Sequence, residues 1–505
     1  MTFRPGDNRN LRSIAESLGA ANVVEGTVRR DGKRVRITVR LVDARTDKAL
    51  WSERYDRDLT DIFAIQSEIA RAVASKLRAR LSPEEKKRIE AKPTDDLEAY
   101  DRYLQAKQLI NSYVLWSTDK ENLPKAVRLL EEATQMDPTF ALAYCRMADA
   151  HGLLYVRRID HTPERRALSD TAINEAVRLR PDLAEVHLAM AWHLWDCYRD
   201  IERARVRIAI AAKVLPNNPD LLHLAAVLDR HQGRWDKATA GLERAATLDP
   251  RNPDLLQSLA WTYRFLRRYR DAERILDRLI ETEPDQPVIF IERIECAFYE
   301  KADLESLRAA FEALPTSMKD DPDVTFSRVY YAMCARDFAA AREILGKGSN
   351  QEVYFYGALI PRQTLALWVE FLKGNHRTME DFGASRDELY QKVQADPSNP
   401  GLMAALALTD VALGRREEGI QEGRRAMEMR PVSEDAAVGS IIATNFALVC
   451  AWANQPDFAF EQLNILVQMP GWVLNYGNLK TYPGWDPLRQ DPRFEKLLAQ
   501  LAPRD

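Results

Sequence analysis

The chain is 505 residues long, 46% hydrophobic and 29% charged, with five cysteines and a formal net charge of −4. That length exceeds what one compact core supports, so it requires several domains or a repeat array, and the apolar share excludes wholesale disorder. The charge is uneven: residues 1–92 hold 21 Lys and Arg against 14 Asp and Glu, a net of +7, whereas the remainder is net −11, which points to two modules.

The start, Met1-Thr2-Phe3-Arg4-Pro5, lacks the apolar stretch of a secretory leader. The longest apolar runs, Ile208–Ala212 and Ala404–Leu408, fall far short of the roughly 20 residues of a membrane span, so a cytoplasmic protein with no membrane span is expected. From Asn8 to Leu18, Leu11, Ile14, Ala15 and Leu18 recur at helical spacing, and Gly19 ends the helix. Between Asn22 and Leu41 the period becomes two. Val35, Ile37, Val39 and Leu41 face one way, and Arg34, Arg36, Thr38 and Arg40 the other. Asp31-Gly32 supplies the positive φ of a tight hairpin turn. A third strand is expected over Leu50–Asp58, then a helix over Asp61–Leu81 with Ile62, Ile65, Ile69, Val73 and Leu77 on its apolar stripe. Three strands with one apolar face need more cover than two helices give, so this α+β unit reads as incomplete.

The runs IAESLGAANVVEGTVRR (14–30) and LWSERYDRDLTDIF (50–63) resemble the TolB-like amino-terminal domain over residues 8–92. In bacteria that domain precedes tetratricopeptide-repeat (TPR) arrays in adenylate-cyclase-like, kinase-like and winged-helix regulatory proteins. Measured against the family pattern, the opening strand and first helix are lacking, as is an effector module ahead of them. The unit, domain 1–92, is therefore expected to be partial.

From Leu97 onward the pattern is helical and repetitive. Prolines fall at Pro181, Pro216, Pro250 and Pro284, spaced by 35, 34 and 34, and Pro397 and Pro431 are again 34 apart. A 34-residue period is that of the TPR helical hairpin. In this phase small residues mark close helix crossings at Ala126, Ala204, Ala238, Ala272 and Gly419. The fold class expected is mainly α: a right-handed TPR solenoid over 97–470, of about nine to ten helical pairs, behind the small α+β unit. The pairs around Pro315–Gly374 are degenerate, and Tyr155–Arg165 reads as an insertion. The end, YPGWDPLRQDPRF (482–494), resembles the tail closing TolB-like/TPR proteins, so 471–505 is expected to cap the array.

Motifs for chemistry are missing. There is no GxGxxG after a strand, no phosphate loop, no GxSxG and no HExxH, and Gly346-Lys347-Gly348-Ser349-Asn350 reads as a plain loop. His193 and Cys197 share a helix face with His187 nearby, but zinc sites want three or four ligands, so packing is the expectation and no metal is assigned. The five cysteines never form CxxC, which fits a reduced compartment. Arg34, Arg36 and Arg40 make a basic strand face, but no aromatic residue alternates with them to stack bases, so no nucleic acid is expected. No cofactor and no enzymatic activity are expected.

The TPR resemblance implies that first-helix positions 2, 5, 9, 12 and 13 line a concave groove. In consecutive repeats these include His193 and Asp196, then His223, Arg230 and His231, then Gln257, Trp261, Arg264 and Phe265. Trp and Arg are enriched in binding hot spots, and three histidines could tune binding near pH 6–7. Packing of Trp261 between helices remains the competing reading. The function expected is a scaffold that binds a protein or peptide partner in this groove. The alternative is the sensory or regulatory half of an adenylate-cyclase-like or transcription-regulator signalling protein whose effector domain is absent from this chain. Oligomeric state stays open.

Overall fold

In a computed structural model the chain is described over residues 20–32, 34–78, 81–111, 121–319, 321–347, 351–355, 358–375 and 383–503. The helix expected at Asn8–Leu18 and the loop residues Gly348, Ser349 and Asn350 lie outside the described residues. Two compact units emerge: Met1–Ile110 with Glu121–Pro216 and Thr247–Pro250, and Asn111–Lys120 with Asn217–Ala246 and Arg251–Asp505.

The first unit begins with an antiparallel sheet in order β1-β2-β3, formed by β1 (Asn22–Asp31), β2 (Arg34–Asp43) and β3 (Lys48–Asp58). Gly32 turns the hairpin at φ 57°, and Val28 pairs with Ile37 and Gly26 with Val39. Helix α1 (Ile62–Lys76) lays Ile65 on Val35, Ile37, Val39 and Tyr55 of β2 and β3. Val28 of β1 shares that face, yet it is 67% exposed. The expected single helix to Leu81 is two: α1 stops at Lys76, and α2 (Pro83–Glu90) starts anew. Its start is coded locally, because Ser82 accepts from Glu85 N–H, Glu85 answers to Ser82 N–H, and Pro83 fits the first turn.

Three helical pairs complete this unit: α3 (Leu97–Asn111) with α4 (Asn122–Met136), α5 (Ala141–Val156) with α6 (Pro163–Leu179), and α7 (Ala184–Tyr198) with α8 (Ile201–Ala212). The stretch Tyr155–Arg165, expected as an insertion, is the end of α5, a short turn and the start of α6, which Thr162 caps through Arg165 N–H. The second unit continues with α9 (Pro219–His231), α10 (Trp235–Leu248), α11 (Pro253–Phe265), α12 (Tyr269–Thr282), α13 (Pro287–Lys301), α14 (Leu304–Ala313), α15 (Pro322–Cys334) and α16 (Phe338–Lys347). A β4–β5 hairpin (Glu352–Phe355, Ala358–Pro361) follows inside the degenerate region, unforeseen from sequence. Then come α17 (Arg362–Lys373), α18 (Gly383–Ala395), α19 (Pro400–Ala412), α20 (Arg416–Met429), α21 (Ala436–Trp452), α22 (Pro456–Leu466), α23 (Tyr476–Thr481) and α24 (Pro492–Leu501). Among the described residues the helices make ten such pairs.

The repeat is written in caps and crossings. Asn218-Pro219 and Asn252-Pro253 start α9 and α11, each Asn accepting from the N–H three residues on, at 3.0 and 3.2 Å. The crossing residues Ala126, Ala204, Ala238 and Ala272 are fully buried. At Gly419 a Cβ would come within 2.5 Å of Val411 Cγ2 and 2.6 Å of Ala407 O, so no side chain fits. No helix among the described residues is long and apolar enough to cross a membrane.

Candidate functional site

The second unit carries most of the side chains expected to line a groove. Arg230, near the end of α9, donates from Nη1 to Ser258 O (3.0 Å), Ser258 Oγ (3.1 Å) and Thr262 Oγ1 (3.2 Å), which fastens α9 to α11. Trp261 donates its indole N–H to Glu292 Oε1 on α13 at 2.5 Å. Arg264, 1% exposed, donates to Glu295 Oε2 at 2.6 Å and lies 3.3 Å from Glu292. Glu295 also accepts from Tyr299 OH at 2.8 Å and Ser327 Oγ at 3.2 Å. Gln257 is fully buried beside them.

One guanidinium thus faces two carboxylates away from water. Burial pushes Glu292 up to about 7, against the pull of Arg264 and the indole hydrogen bond. For Arg264, burial opposes the charge, but Glu292, Tyr299 and Glu295 together outweigh it and raise its pKa.

The chain itself covers this cluster. Gly471 N–H donates to Phe265 O at 2.9 Å, and Arg267 donates to Met469 O (3.0 Å) and Leu474 O (3.2 Å). The Trp472 ring lies 5.3 Å from Trp261 and 5.9 Å from Phe265, with the Arg264 guanidinium 4.6 Å from its centroid. Farther on, Gly477 passes so close to α13 that a Cβ would meet Phe298 O at 2.2 Å. Asn478 donates to Tyr330 OH at 2.5 Å and accepts from Trp485 Nε1 at 2.8 Å, and Asp486 pairs with Arg336 at 2.7 Å. Residues 469–486 therefore cross the inner face of α11, α13 and α15.

This corrects the expectation of an open groove at Gln257, Trp261, Arg264 and Phe265. All four are buried, and Trp261, Arg264 and Phe265 pack against the chain's own Trp472. At the expected cap, α24 covers α22, with Phe494 and Leu497 buried and Arg493 lying 4.2 Å over Phe460, and Gly484 lies against Leu448 of α21. A cavity of about 30 Å³ lies between Tyr330, Trp368, Asn445, Val473 and Trp485, room for one or two water molecules.

The histidines sit in separate pairings. His231 Nδ1 lies 2.8 Å from Asp435 Oδ1, which also accepts from Val438 N–H at the start of α21. His223 is buried, 3.8 Å from Asp254. His193 is buried in the first unit, with Nδ1 2.8 Å from Ser169 Oγ and Nε2 3.0 Å from Asp170. Burial lowers its pKa although Asp170 pulls the other way. The three residue types are those of a hydrolytic triad, but Ser169 is 0% exposed and bonds Ala148 O at 3.0 Å, out of a substrate's reach. Asp196 is half-buried, and a Cβ on Gly152 would touch it at 3.7 Å. On the strand face, Arg34 and Arg36 share Asp56 at 3.0 and 2.6 Å, and Arg40 holds Glu25 at 2.8 Å. Trp472 escaped the sequence reading because nothing local ties it to a helix 200 residues earlier.

A tetratricopeptide-repeat family model matches residues 229–290. The putative adenylate cyclase 3 of Rhizobium meliloti (strain 1021) is 36% identical over 143 residues, which are 28% of this chain and 24% of that protein. The match thus spans about a quarter of the curated relative's length. Among solved structures, a thermophilic TPR protein of Thermus thermophilus is similar over 39% of this chain and 98% of its own, at 17% identity and a TM-score of 0.32. The human IFIT1 dimer with PPP-AAAA is similar over 74% of this chain and 79% of its own, at 16% identity and a TM-score of 0.42. Residues 229–290 carry the tetratricopeptide repeat, a unit whose arrays serve protein–protein interaction, and the helical pairs on either side share its hairpin form.

Proposed function

We propose that this chain is a docking scaffold that holds a segment of a protein partner against the helical pairs of its first unit. The supporting observation is what the corresponding face does in the second unit. There α11, α13 and α15 take the chain's own segment 469–486, with the short helix α23 inside it, through an indole stack, main-chain carbonyls and a carboxylate. The pairs α5–α6 and α7–α8 repeat that architecture, and polypeptide is the ligand to which it is suited. The test is photo-crosslinking in native cells, with a benzophenone amino acid placed at the exposed Tyr198 of α7 or at the exposed Ile465 of α22. A discrete adduct identified by mass spectrometry from Tyr198 but not Ile465 is expected. No adduct from Tyr198, or the same adducts from both, refutes the reading.

The relative named a putative adenylate cyclase favours a second reading, in line with the TolB-like resemblance of residues 8–92. The chain would then be the regulatory half of a cyclase-type signalling protein and the effector its partner. Cyclic AMP levels that stay the same after deletion of the gene, across growth conditions, would remove it.

A further inference from the structure

The cluster of Arg264, Glu292 and Glu295 lies beneath a stretch of chain that is lightly held. Between α22, which ends at Leu466, and α23, which starts at Tyr476, residues Gln468–Trp472 belong to no helix or strand. Two hydrogen bonds fasten them to the α11 end: Gly471 N–H to Phe265 O at 2.9 Å, and Arg267 to Met469 O at 3.0 Å. Their aromatic contribution is one half-buried indole, that of Trp472, against Trp261 and Phe265. The flanking Val467 and Val473 are both buried, so the stretch is moored at its two ends. A short irregular segment with few backbone hydrogen bonds belongs to the low-stability end of a fold, where local opening begins.

What lies under it is charged. Arg264 of α11 faces Glu292 at 3.3 Å and Glu295 at 2.6 Å, both on α13, and its guanidinium lies 4.6 Å from the Trp472 ring centroid. The other titratable groups around them are Cys296 and Tyr299 on α13, Tyr331 on α15, and Tyr269 and Glu273 on α12. Burial pushes Cys296 up to about 12 and raises Tyr331 and Tyr269 as well, so these three are neutral at physiological pH. Arg230 of α9 is engaged with Ser258 and Thr262. One guanidinium against two carboxylates leaves a negative charge in excess when both are ionised, so a proton on Glu292 is what balances the site. Glu292 Oε2 has no hydrogen-bond partner among the described residues, and an ionised carboxylate buried in that state is costly.

We propose that Gln468–Trp472 is a flap that lifts from α11 when Glu292 loses its proton and settles again when the proton returns. Lifting the flap lets water reach the ionised carboxylate while α11 and α13 stay packed, which disturbs far less structure than parting the two helices. Burial holds the covered Glu292 near 7, with Arg264 pulling down and Glu295 pushing up, whereas the solvated side chain titrates near 4.5. A raised pKa in the closed form means that closure is fully favoured below about pH 4.5, weakens as pH rises to 7 and stays at its weakest above. Opening bares Trp261 and Phe265, so the flap governs when this aromatic surface of α11 is exposed.

The test is hydrogen exchange of the Gly471 amide in the full chain, read by mass spectrometry with fragmentation to single residues and corrected for the intrinsic pH dependence of exchange. Its protection is expected to fall about tenfold from pH 6 to pH 8, the ratio set by a carboxyl that titrates near 7 when covered and near 4.5 when open. Amides in the middle of α21 should stay better protected than Gly471 at both pH values. Glu292→Gln should abolish the step. Glu295→Gln, which leaves Arg264 to Glu292 alone, should move the step to lower pH. The flap is overturned if the wild-type protein shows no step, if the step survives in Glu292→Gln, or if Gly471 is as well protected as α21, since the segment would then leave only with global unfolding. Should Glu292→Gln fail to fold, Glu295→Gln decides: a step that stays in place or moves to higher pH overturns the flap.

Discussion

Replacing Glu292 by Gln should stabilise the protein at neutral and alkaline pH. In the fold the carboxyl is buried beside a second carboxylate, Glu295, with Arg264 as their shared cation, and Arg264 sits nearer Glu295 (2.6 Å) than Glu292 (3.3 Å). The folded pKa is about 7 against 4.5 for the free side chain. A raised carboxyl pKa means that the unfolded chain releases this proton first. The contribution of Glu292 to stability is therefore full below about pH 4.5, falls as pH rises from 4.5 to 7, and is lost above. At roughly 1.4 kcal/mol per pH unit the span amounts to about 3 kcal/mol. Gln keeps the acceptor for the Trp261 indole and carries no charge. Urea denaturation of both proteins at pH 4 and pH 8 reads the difference: near-equal stabilities at pH 4, and the variant ahead by about 1–3 kcal/mol at pH 8. A variant that is less stable than wild type at pH 8 would show that the ionised carboxylate is needed by Arg264, and the reasoning would fail.

Three further outcomes test the packing. Trp472→Ala removes a half-buried indole from Trp261, Phe265 and Arg264 and should cost about 2–4 kcal/mol in chemical denaturation, with earlier proteolysis near residue 470; wild-type stability would mean the segment does not hold this face. Gly477→Ala places a Cβ 2.2 Å from Phe298 O, main chain that cannot swing aside, and should cost at least about 2 kcal/mol; a neutral thermal melt would refute the close approach of α23 to α13. Ala238→Leu and Ala272→Leu, each at a fully buried crossing, should each cost about 1–3 kcal/mol, and an unchanged melt in either would refute the repeat phase.

Much of the fold was legible because it is local and periodic. The Asp31-Gly32 hairpin, the alternation of β2, the 34-residue spacing of prolines and the small residues at crossings each depend on neighbours within a few positions or one repeat. The break after Lys76 was also legible in principle, since Ser82-Pro83 followed by Glu85 is a helix start. The candidate site was not. The residue types at Trp261, Arg264 and Gln257 suit a binding face and a packed interior equally, and composition cannot separate the two. The choice was made by Gly471 and Trp472, about 200 residues after the helix they cover, through contacts that carry no periodic signal. Sequence alone determined the helical hairpins and their period; only the tertiary structure decided that α11 meets the chain's own Trp472, because burying that indole removes apolar surface from water that no local pattern records.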